Sequence, residues 1–193
     1  MFVVCFNGPP GSGKDTAAEM LAQILDSKTD LPVRQESLSL PLRKIAYAMV
    51  DAPYQAETYD RFKRTKFPQF GHRTGRQLMI DVSESFLKPL YSRQVMVEML
   101  TERNREITGI LLIRDSGFQH EVSRLMLEYG HANVYVVRML RAGCDFTNDS
   151  REWVKHRDIG CAMDLDNNGS LDDLRTEVTR IYGRLVNQMG WKL

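Results

Sequence analysis

The sequence predicts an α/β protein in which a parallel sheet is flanked by helices on both faces. Apolar runs of strand length alternate with helical patterns along the chain, at 2–7, 33–39, 109–114 and 133–139, and a fifth short strand, poor in β-forming residues, is expected near 160–165. Strands that alternate with helices pair in parallel through right-handed crossovers. The runs at 110–113 and 134–137 are continuously apolar, which is typical of central strands buried on both faces. We therefore expect a three-layer fold with five parallel strands.

The first and last helices have the clearest signals. After the first strand, a helical spacing places one apolar face on Ala17, Leu21, Ile24 and Leu25. The last helix is predicted to begin after Ser170, a good N-cap residue, and its first turn is acidic, which the helix dipole favours. Its apolar stripe consists of Leu174, Val178, Ile181 and Leu185.

Length and composition limit the class of protein. The 193 residues fit one domain, 1–193, and the net charge of +1 gives no overall attraction to nucleic acid or membranes. Cys5, Cys144 and Cys161 form no CxxC pair, which suits a reducing compartment. The sequence shows no signal peptide and no apolar run of membrane-spanning length. We expect a cytoplasmic protein without a stable nucleic-acid or membrane partner; the oligomeric state is left open, a homodimer included.

The most informative motif follows the first predicted strand and reads GPPGSGKDT at 8–16. A strand, a glycine-rich loop and an amphipathic helix form the context that a phosphate-binding P-loop requires. Backbone N–H groups of Gly11, Ser12 and Gly13 can surround a polyphosphate, and the positive end of the next helix faces the same anion. Lys14 then reaches the β- and γ-phosphates. The motif predicts a P-loop NTPase fold that binds a nucleoside triphosphate.

One residue departs from the usual P-loop pattern. The position after the lysine is normally Ser or Thr, which binds magnesium, but here it is Asp15, and Thr16 follows. A decayed loop is one interpretation. The other is that Gly-Lys-X-Thr is similar to the nucleoside monophosphate kinases, in which the threonine serves the phosphates and their hydrated metal. The dipeptide Pro-Gly at 10–11 favours the second interpretation.

Two segments interrupt the alternation of strands and helices. Residues 41–105 are mostly helical, with helices predicted at 41–50, 76–88 and 92–105 around a basic stretch at 57–75. In P-loop kinases an insertion at this point builds the wall that binds the acceptor. The shorter polar segment 141–157 lies where such kinases carry a lid.

Charged residues near the predicted strand ends are candidates for the chemistry, because ligands bind beyond the carboxyl ends of parallel strands. Asp115 ends the third apolar run and could hold the water molecules of a magnesium ion; the alternative is a cap for the helix that begins near Gln119. Arg114 either takes part in the chemistry or pairs with a neighbouring carboxylate. Arg76 and Arg73 form the candidate clamp for an acceptor phosphate, because Arg76 opposes the dipole in the first turn of its helix and a bound anion would explain it.

Further candidates lie in the basic stretch and near the lid. A base could stack on the aromatic residues that interleave with the cations at 61–70, namely Phe62, Phe67 and Phe70. The lid arginines are Arg141, Arg151 and Arg157, whose planar guanidinium groups can bind phosphate in bidentate fashion. The segment 164–171 predicts a tight turn, in which exposed backbone groups at Asn168 and Gly169 could contact an adenine.

Taken in order, these motifs make the chain similar to the phage-type deoxynucleoside monophosphate kinases of the adenylate-kinase-like P-loop superfamily. The similarity rests on GSGKDT at 11–16, LPLR at 40–43, RQLM at 76–79, RDSGFQHE at 114–121, VVR at 136–138 and NGSL at 168–171. The resemblance implies transfer of the γ-phosphate of ATP, with Mg²⁺, to a small-molecule acceptor, a (deoxy)nucleoside 5′-monophosphate.

The residue arguments and the resemblance together give an expected site. ATP is expected on Gly11, Ser12, Gly13, Lys14, Asp15 and Thr16, with its adenine near Asn168 and Gly169. The metal is expected at Thr16 and Asp115. The acceptor is expected on Arg43, Arg73, Arg76 and Arg114. The transfer itself is assigned to Lys14, Arg76, Asp115 and Arg141.

Two alternatives stay open. The first is a P-loop kinase of another small molecule, such as dephospho-coenzyme A, whose hydroxyl acceptor would need a carboxylate base that Asp15 could supply. The second is a nucleotide-binding regulatory or assembly module without turnover.

Overall fold

Strands and helices alternate through most of the chain in the computed structural model, which describes residues 1–147, 149–155, 159, 161–187 and 190–191. In chain order the elements are β1 (Phe2–Asn7), α1 (Lys14–Asp26), β2 (Val33–Glu36), α2 (Leu40–Met49), α3 (Tyr59–Phe62), β3 (Lys66–Phe67), β4 (Arg73–Thr74), α4 (Gly75–Asp81), α5 (Lys88–Leu90), α6 (Val95–Arg103), β5 (Ile110–Ser116), α7 (Gln119–Tyr129), β6 (Val134–Leu140), β7 (Ala162–Asp166) and α8 (Leu171–Asn187). A π-helix over Val82–Leu87 joins α4 to α5, and short 3₁₀ turns lie at Ala56–Thr58, Pro68–Phe70 and His131–Asn133. The chain divides into two units, Met1–Leu38 with Leu100–Leu193, and Ser39–Met99.

The first unit contains a five-stranded parallel sheet in the order β2-β5-β1-β6-β7. Strand β1 lies at its centre, with Cys5 opposite Ile113 of β5 and Val136 of β6. The predicted five-stranded parallel sheet is confirmed. Because β1 is the central strand, the loop that follows its carboxyl end lies between the carboxyl ends of β5 and β6.

Helices cover both faces of this sheet. On one face, α1 and α8 pack on inward-facing strand residues, and the buried cluster includes Phe6, Leu21, Leu112, Val137 and Ile181. On the other face, α7 contacts β1 and β6. Burial of this apolar surface, worth about 25 cal/mol per Å², is the main term that stabilises the layers.

The chain end completes the first core. Trp191 is 3% exposed, stacks on Phe2 with 4.5 Å between ring centroids, and donates from its indole N–H to the carbonyl of Ala132 at 2.9 Å. The predicted cap of α8 is also present, because the Asp173 amide donates to the Ser170 hydroxyl and the Asp173 carboxylate accepts from the Ser170 amide. The last helix is therefore fixed at its beginning and beyond its end.

The second unit has a small aromatic core of its own. Tyr47 of α2 stacks on Phe62 of α3 with 3.9 Å between centroids, and Phe67 packs at 5.4 Å from Phe62. Gly75 begins α4 directly against this ring, since a Cβ there would lie 2.5 Å from the Phe62 ring and from its carbonyl oxygen. Thr74 and Gln77 form a capping box at the start of α4.

The structure corrects the expected organisation of the basic stretch. Residues 57–75 contain a two-stranded antiparallel hairpin, β3 with β4, which the sequence did not predict. Its strands have two residues each, too short for a periodic pattern, and its turn uses left-handed backbone at Gly71 and His72, with φ of 62° and 60°. The Phe62 ring is buried against Tyr47, so the expectation that a base stacks on it is wrong.

Candidate functional site

The loop between β1 and α1 has the backbone of a phosphate-binding loop. Gly11 and Gly13 have φ of 80° and 93°, values that other residues rarely adopt. Gly13 is the N-cap of α1, so the N–H groups of the first helical turn point into the loop. A side chain at Gly13 would also collide with the amide of Asn167. The loop therefore needs glycine at Gly13 for its conformation and for the close approach of Asn167.

Lys14 lies over this loop and is 8% exposed. Its ammonium donates to the carbonyl oxygens of Gly8 at 2.6 Å and Pro9 at 2.7 Å. Burial is the largest cause that lowers the pKa of Lys14 to about 8, and the positive charge of Arg151 acts in the same direction. Three carboxylates oppose this shift, those of Asp15, Asp115 and Asp149. A polyphosphate in the loop would favour the charged form of the lysine.

Asp115 lies at the end of β5 and is oriented by the connection that follows β2. Its two carboxylate oxygens accept hydrogen bonds from the Ser37 hydroxyl at 2.6 Å and the Leu38 amide at 2.8 Å. The alternative prediction was that Asp115 caps α7. At the start of that helix it is Glu121 that accepts from the Gly117 and Phe118 amides. Asp115 is thus a fixed carboxylate within electrostatic reach of Lys14.

Asp15 and Arg114 face each other beside the loop. The Arg114 Nε lies 4.0 Å from a carboxylate oxygen of Asp15, and the Asp15 side chain is 83% exposed. Arg114 therefore pairs with a neighbouring carboxylate, which is one of the two roles predicted for it. At this exposure the ion pair contributes little to stability.

The donor set around the loop fits a magnesium ion held mainly by nucleotide phosphates. Thr16 is exposed in the first turn of α1, and Asp15 and Asp115 supply carboxylate oxygens, the ligand type that Mg²⁺ prefers. Among the described residues, no group of three or more His, Cys, Asp or Glu side chains could hold a metal by itself. In proteins, Mg²⁺ is usually bound by one or two carboxylates together with substrate phosphates and water.

The segment after β6 contacts the loop from the other side. Arg141 donates from Nη1 to the Gly11 carbonyl at 3.2 Å, which places its guanidinium at the loop. Asn168, predicted near the adenine, accepts from the Ala142 amide at 2.7 Å and so joins the turn before α8 to this segment. Arg157 lies outside the described residues.

Sequence reasoning missed two asparagines of the site. Asn167 is 8% exposed and donates from its side-chain amide to the Ser12 carbonyl at 2.9 Å. Asn7, fully buried at the end of β1, donates to the carbonyls of Ser116 and Glu152 and accepts from the Val154 amide. A polar residue that ends an otherwise apolar strand was the available signal for Asn7. No periodic signal marked Asn167.

In the second unit, cations gather around Tyr59. The Arg43 guanidinium lies 4.2 Å from the centroid of the Tyr59 ring, and the Lys63 ammonium lies 5.2 Å from it. The backbone amide of Arg76 donates to the Lys63 carbonyl at 3.2 Å, so the first turn of α4 lies beside the end of α3. We call Arg43, Tyr59, Lys63 and Arg76 the Tyr59 cluster.

Arg73 has a different environment from the Tyr59 cluster. Its Nε lies 3.2 Å from a carboxylate oxygen of Asp81, and its side chain is 51% exposed. Lys63 also has an acidic partner, Asp60, whose pKa it lowers through a hydrogen bond and its charge. Both pairs are at the surface, where such ion pairs are weak.

Fold and loop together define the class of protein. A central β1 in a five-stranded parallel sheet, followed by a glycine loop and a helix that begins at the lysine, is a P-loop NTPase fold. Within the described part of the chain, every helix is too short or too polar to cross a membrane. The cytoplasmic location stays a prediction.

Comparisons with known proteins do not assign a family. No protein-family model matches the sequence, and no curated protein matches it. The chain is similar to a gluconokinase from Sinorhizobium meliloti 1021, with 11% identity over 97% of this chain and 96% of that chain and a TM-score of 0.45. It is similar to a shikimate kinase from Acinetobacter baumannii solved with shikimate, with 11% identity, 97% and 94% coverage and a TM-score of 0.44. It is also similar to a dephospho-CoA kinase from Campylobacter jejuni, with 11% identity over 95% of this chain and 96% of that chain and a TM-score of 0.48.

Proposed function

We propose that the protein is a phosphotransferase that moves the γ-phosphate of ATP to a (deoxy)nucleoside 5′-monophosphate and so forms the diphosphate. The observation that carries the proposal is the complete loop of the first unit, in which a buried Lys14, held by loop carbonyls, lies at the N-terminus of α1. This arrangement is a binding site for a polyphosphate.

Four features support ATP on the first unit. The loop offers N–H groups and Lys14 to the phosphates, and Arg141 lies at Gly11. Asp115 is a fixed carboxylate that would hold the magnesium ion through water, and Thr16 would serve the same ion from α1. The turn at Asn168 is bonded to the segment after β6, so it is a fixed platform next to which the adenine would lie.

The Tyr59 cluster supports an acceptor that carries a phosphate. Arg43 and Lys63 place two cations against the Tyr59 ring, and the backbone of Arg76 lies beside Lys63, so positive charge is concentrated at this place. Asp60 pairs with Lys63 at the surface. The dianionic 5′-phosphate of a nucleotide is an anion of suitable charge. Arg76 is expected to contact it directly, and Arg43 is expected to help. Arg73 and Arg114 were also predicted to bind the acceptor, and each lies near a carboxylate.

In the proposed reaction the protein positions the two substrates and neutralises charge, and it forms no covalent bond to either of them. An oxygen of the acceptor phosphate forms a bond to the γ-phosphorus of ATP, and the bond from that phosphorus to the β–γ bridging oxygen breaks. ADP leaves, and no general base is needed, because the acceptor phosphate is already ionised. Lys14 and Arg141 would stabilise the charge on the transferring group, and a bound magnesium ion supplies further neutralisation.

An assay with a panel of acceptors tests this proposal. ADP release from ATP is measured with each nucleoside and deoxynucleoside monophosphate, for the wild type and for Lys14→Ala. The matched control is Lys28→Ala, which removes an exposed lysine just beyond the end of α1. We expect acceptor-dependent ADP release that Lys14→Ala abolishes and Lys28→Ala leaves unchanged. ATP binding without release on any acceptor, hydroxyl acceptors included, would instead indicate a regulatory module.

A kinase that acts on a hydroxyl acceptor is the second candidate, and the environment of Asp15 favours it. The Asp15 carboxylate is next to Lys14 in sequence, and its 83% exposure would let an acceptor reach it as a general base. The panel should therefore include hydroxyl acceptors such as dephospho-coenzyme A. Activity on such an acceptor, absent on every monophosphate and lost in Asp15→Asn but not in Asp26→Asn, would establish the second candidate in place of the first.

A further inference from the structure

The segment after the predicted lid arginine Arg141 contains an ion pair that the site described so far does not use. Asp149 accepts from Nε of Arg151 at 3.0 Å and from Nη2 at 2.6 Å, so the carboxylate holds one edge of the guanidinium. The side chains are 4% and 21% exposed. A carboxylate buried to this degree is costly unless an interaction compensates it, and a bidentate arginine provides that interaction.

The backbone around this pair is fixed to the ends of β1 and β5. The Glu152 amide donates to the Gly117 carbonyl at 2.9 Å, and Asn7 bonds to both Glu152 and Val154. The aliphatic part of Arg151 lies on Gly117 so closely that any Cβ at Gly117 would collide with it. Asn7 at the end of β1 and Gly117 directly after β5 therefore determine where the Arg151 side chain runs.

The positive charge of Arg151 acts with burial to lower the pKa of Lys14, the lysine of the P-loop. The Arg151 side chain runs along Gly117, directly after β5, and the carbonyl of its neighbour Glu152 accepts from the side-chain amide of Asn7, directly before the P-loop. Two cations that repel each other in the unliganded protein form a favourable site for a polyphosphate, which compensates both. Guanidinium groups have five N–H donors, so a carboxylate on one edge can orient the group toward a second anion.

We propose that Asp149 is a positioning residue that holds Arg151 at the P-loop, where Arg151 binds the transferring phosphoryl group together with Lys14. This inference rests on the proposed function and extends it to a pair of residues. Since the carboxylate fixes the guanidinium before ATP arrives, less side-chain freedom is lost when the phosphate binds.

Chemical rescue separates this role from a merely structural one. Arg151→Ala is assayed for phosphoryl transfer with added guanidinium ion at millimolar concentration, in the presence and in the absence of Asp149→Asn. We expect Arg151→Ala to lower kcat by roughly 10- to 100-fold. Guanidinium should restore part of this loss only while Asp149 keeps its carboxylate. Asp149→Asn alone should lower kcat, and it should add nothing further in the Arg151→Ala background.

A matched control and a second readout keep the test decisive. Asp145→Asn removes an exposed carboxylate that accepts from the Thr147 amide in the same segment, and it should leave kcat unchanged. Thermal melting of each variant excludes unfolding as the cause of a loss. Rescue that is equal with and without Asp149, or a wild-type rate in Asp149→Asn, would overturn the inference while leaving the proposed function in place.

If the wild type binds ATP but transfers no phosphate, the proposed function fails, and the same variants are compared by ATP affinity in calorimetry. Affinity that falls in Arg151→Ala and in Asp149→Asn, without additivity, would still support the positioning role. Affinity unchanged in both variants would overturn it, as would a wild type that binds no ATP.

Discussion

The side-chain amide of Asn167 donates to the carbonyl of Ser12 at 2.9 Å, across 155 residues of sequence. The Asn167 backbone amide also donates to Leu140 at 2.8 Å, at the end of β6. The turn after β7 is thereby joined to the phosphate loop and to the strand next to it. Since the same turn contains Asn168 and Gly169, the expected platform for the base and the loop for the phosphates form one hydrogen-bonded unit.

Loss of this bond should weaken nucleotide binding. Asn167→Ala leaves the buried Ser12 carbonyl without this donor and opens space against Gly13, so the loop loses its fixed shape. We expect a loss of about 1–2 kcal/mol in ATP binding, or roughly 5- to 30-fold in Kd. Titration calorimetry with ATP measures it. Asn187→Ala, at an exposed position near the end of α8, is the control, and an equal Kd for both variants would contradict the prediction.

Nucleotide affinity should fall at alkaline pH because the pKa of Lys14 is lowered to about 8 by burial. Below this value the free protein carries the ammonium, which the phosphates require, and above it the neutral amine predominates. We expect Kd for ATP to be constant from pH 6.5 to 7.5 and to rise about tenfold per pH unit above 8, until the lysine of the complex also titrates. Calorimetry across this range provides the test, and a Kd that stays flat to pH 9.5 would disagree.

Acceptor and donor affinities should respond separately to changes at Arg76. Arg76→Gln removes a cation of the Tyr59 cluster and changes no residue of the P-loop. The KM of the monophosphate should therefore rise tenfold or more while the KM of ATP stays within about twofold. Initial-rate kinetics with each substrate varied in turn measure both values. Arg105→Gln is the control, because its side chain is 73% exposed and belongs to the first unit. A rise in the KM of ATP with an unchanged KM of the monophosphate would contradict this prediction.

Two glycine substitutions should change the stability in opposite directions. Gly75→Ala places a Cβ 2.5 Å from the ring and carbonyl of Phe62 in the aromatic core of the second unit, and we expect a loss of about 1–3 kcal/mol. Gly183→Ala meets nothing within 4 Å in the middle of α8. Because alanine favours helices, this change should gain about 0.5–1 kcal/mol. Urea denaturation gives both values, and a stabilising Gly75→Ala would contradict the packing described here.

The sequence was sufficient for the parallel sheet, the loop and the first and last helices, because each depends on local pattern. Apolar runs such as 110–113 identify central strands, and the lysine motif identifies the loop. It was not sufficient for Asn167 or for the pair of Asp149 with Arg151, because their partners are tertiary. The hairpin at 66–74 was missed because two-residue strands have no period, and Phe62 was misjudged because its neighbour Tyr47 lies on another helix.

The most direct test of the central claim is to follow the γ-phosphate itself. The protein is incubated with γ-labelled ATP, magnesium and a (deoxy)nucleoside monophosphate, and the products are separated and identified. The account predicts label in the β-position of the acceptor diphosphate, at a rate that Lys14→Ala abolishes. Label found only in inorganic phosphate, or only on a hydroxyl acceptor, would contradict it.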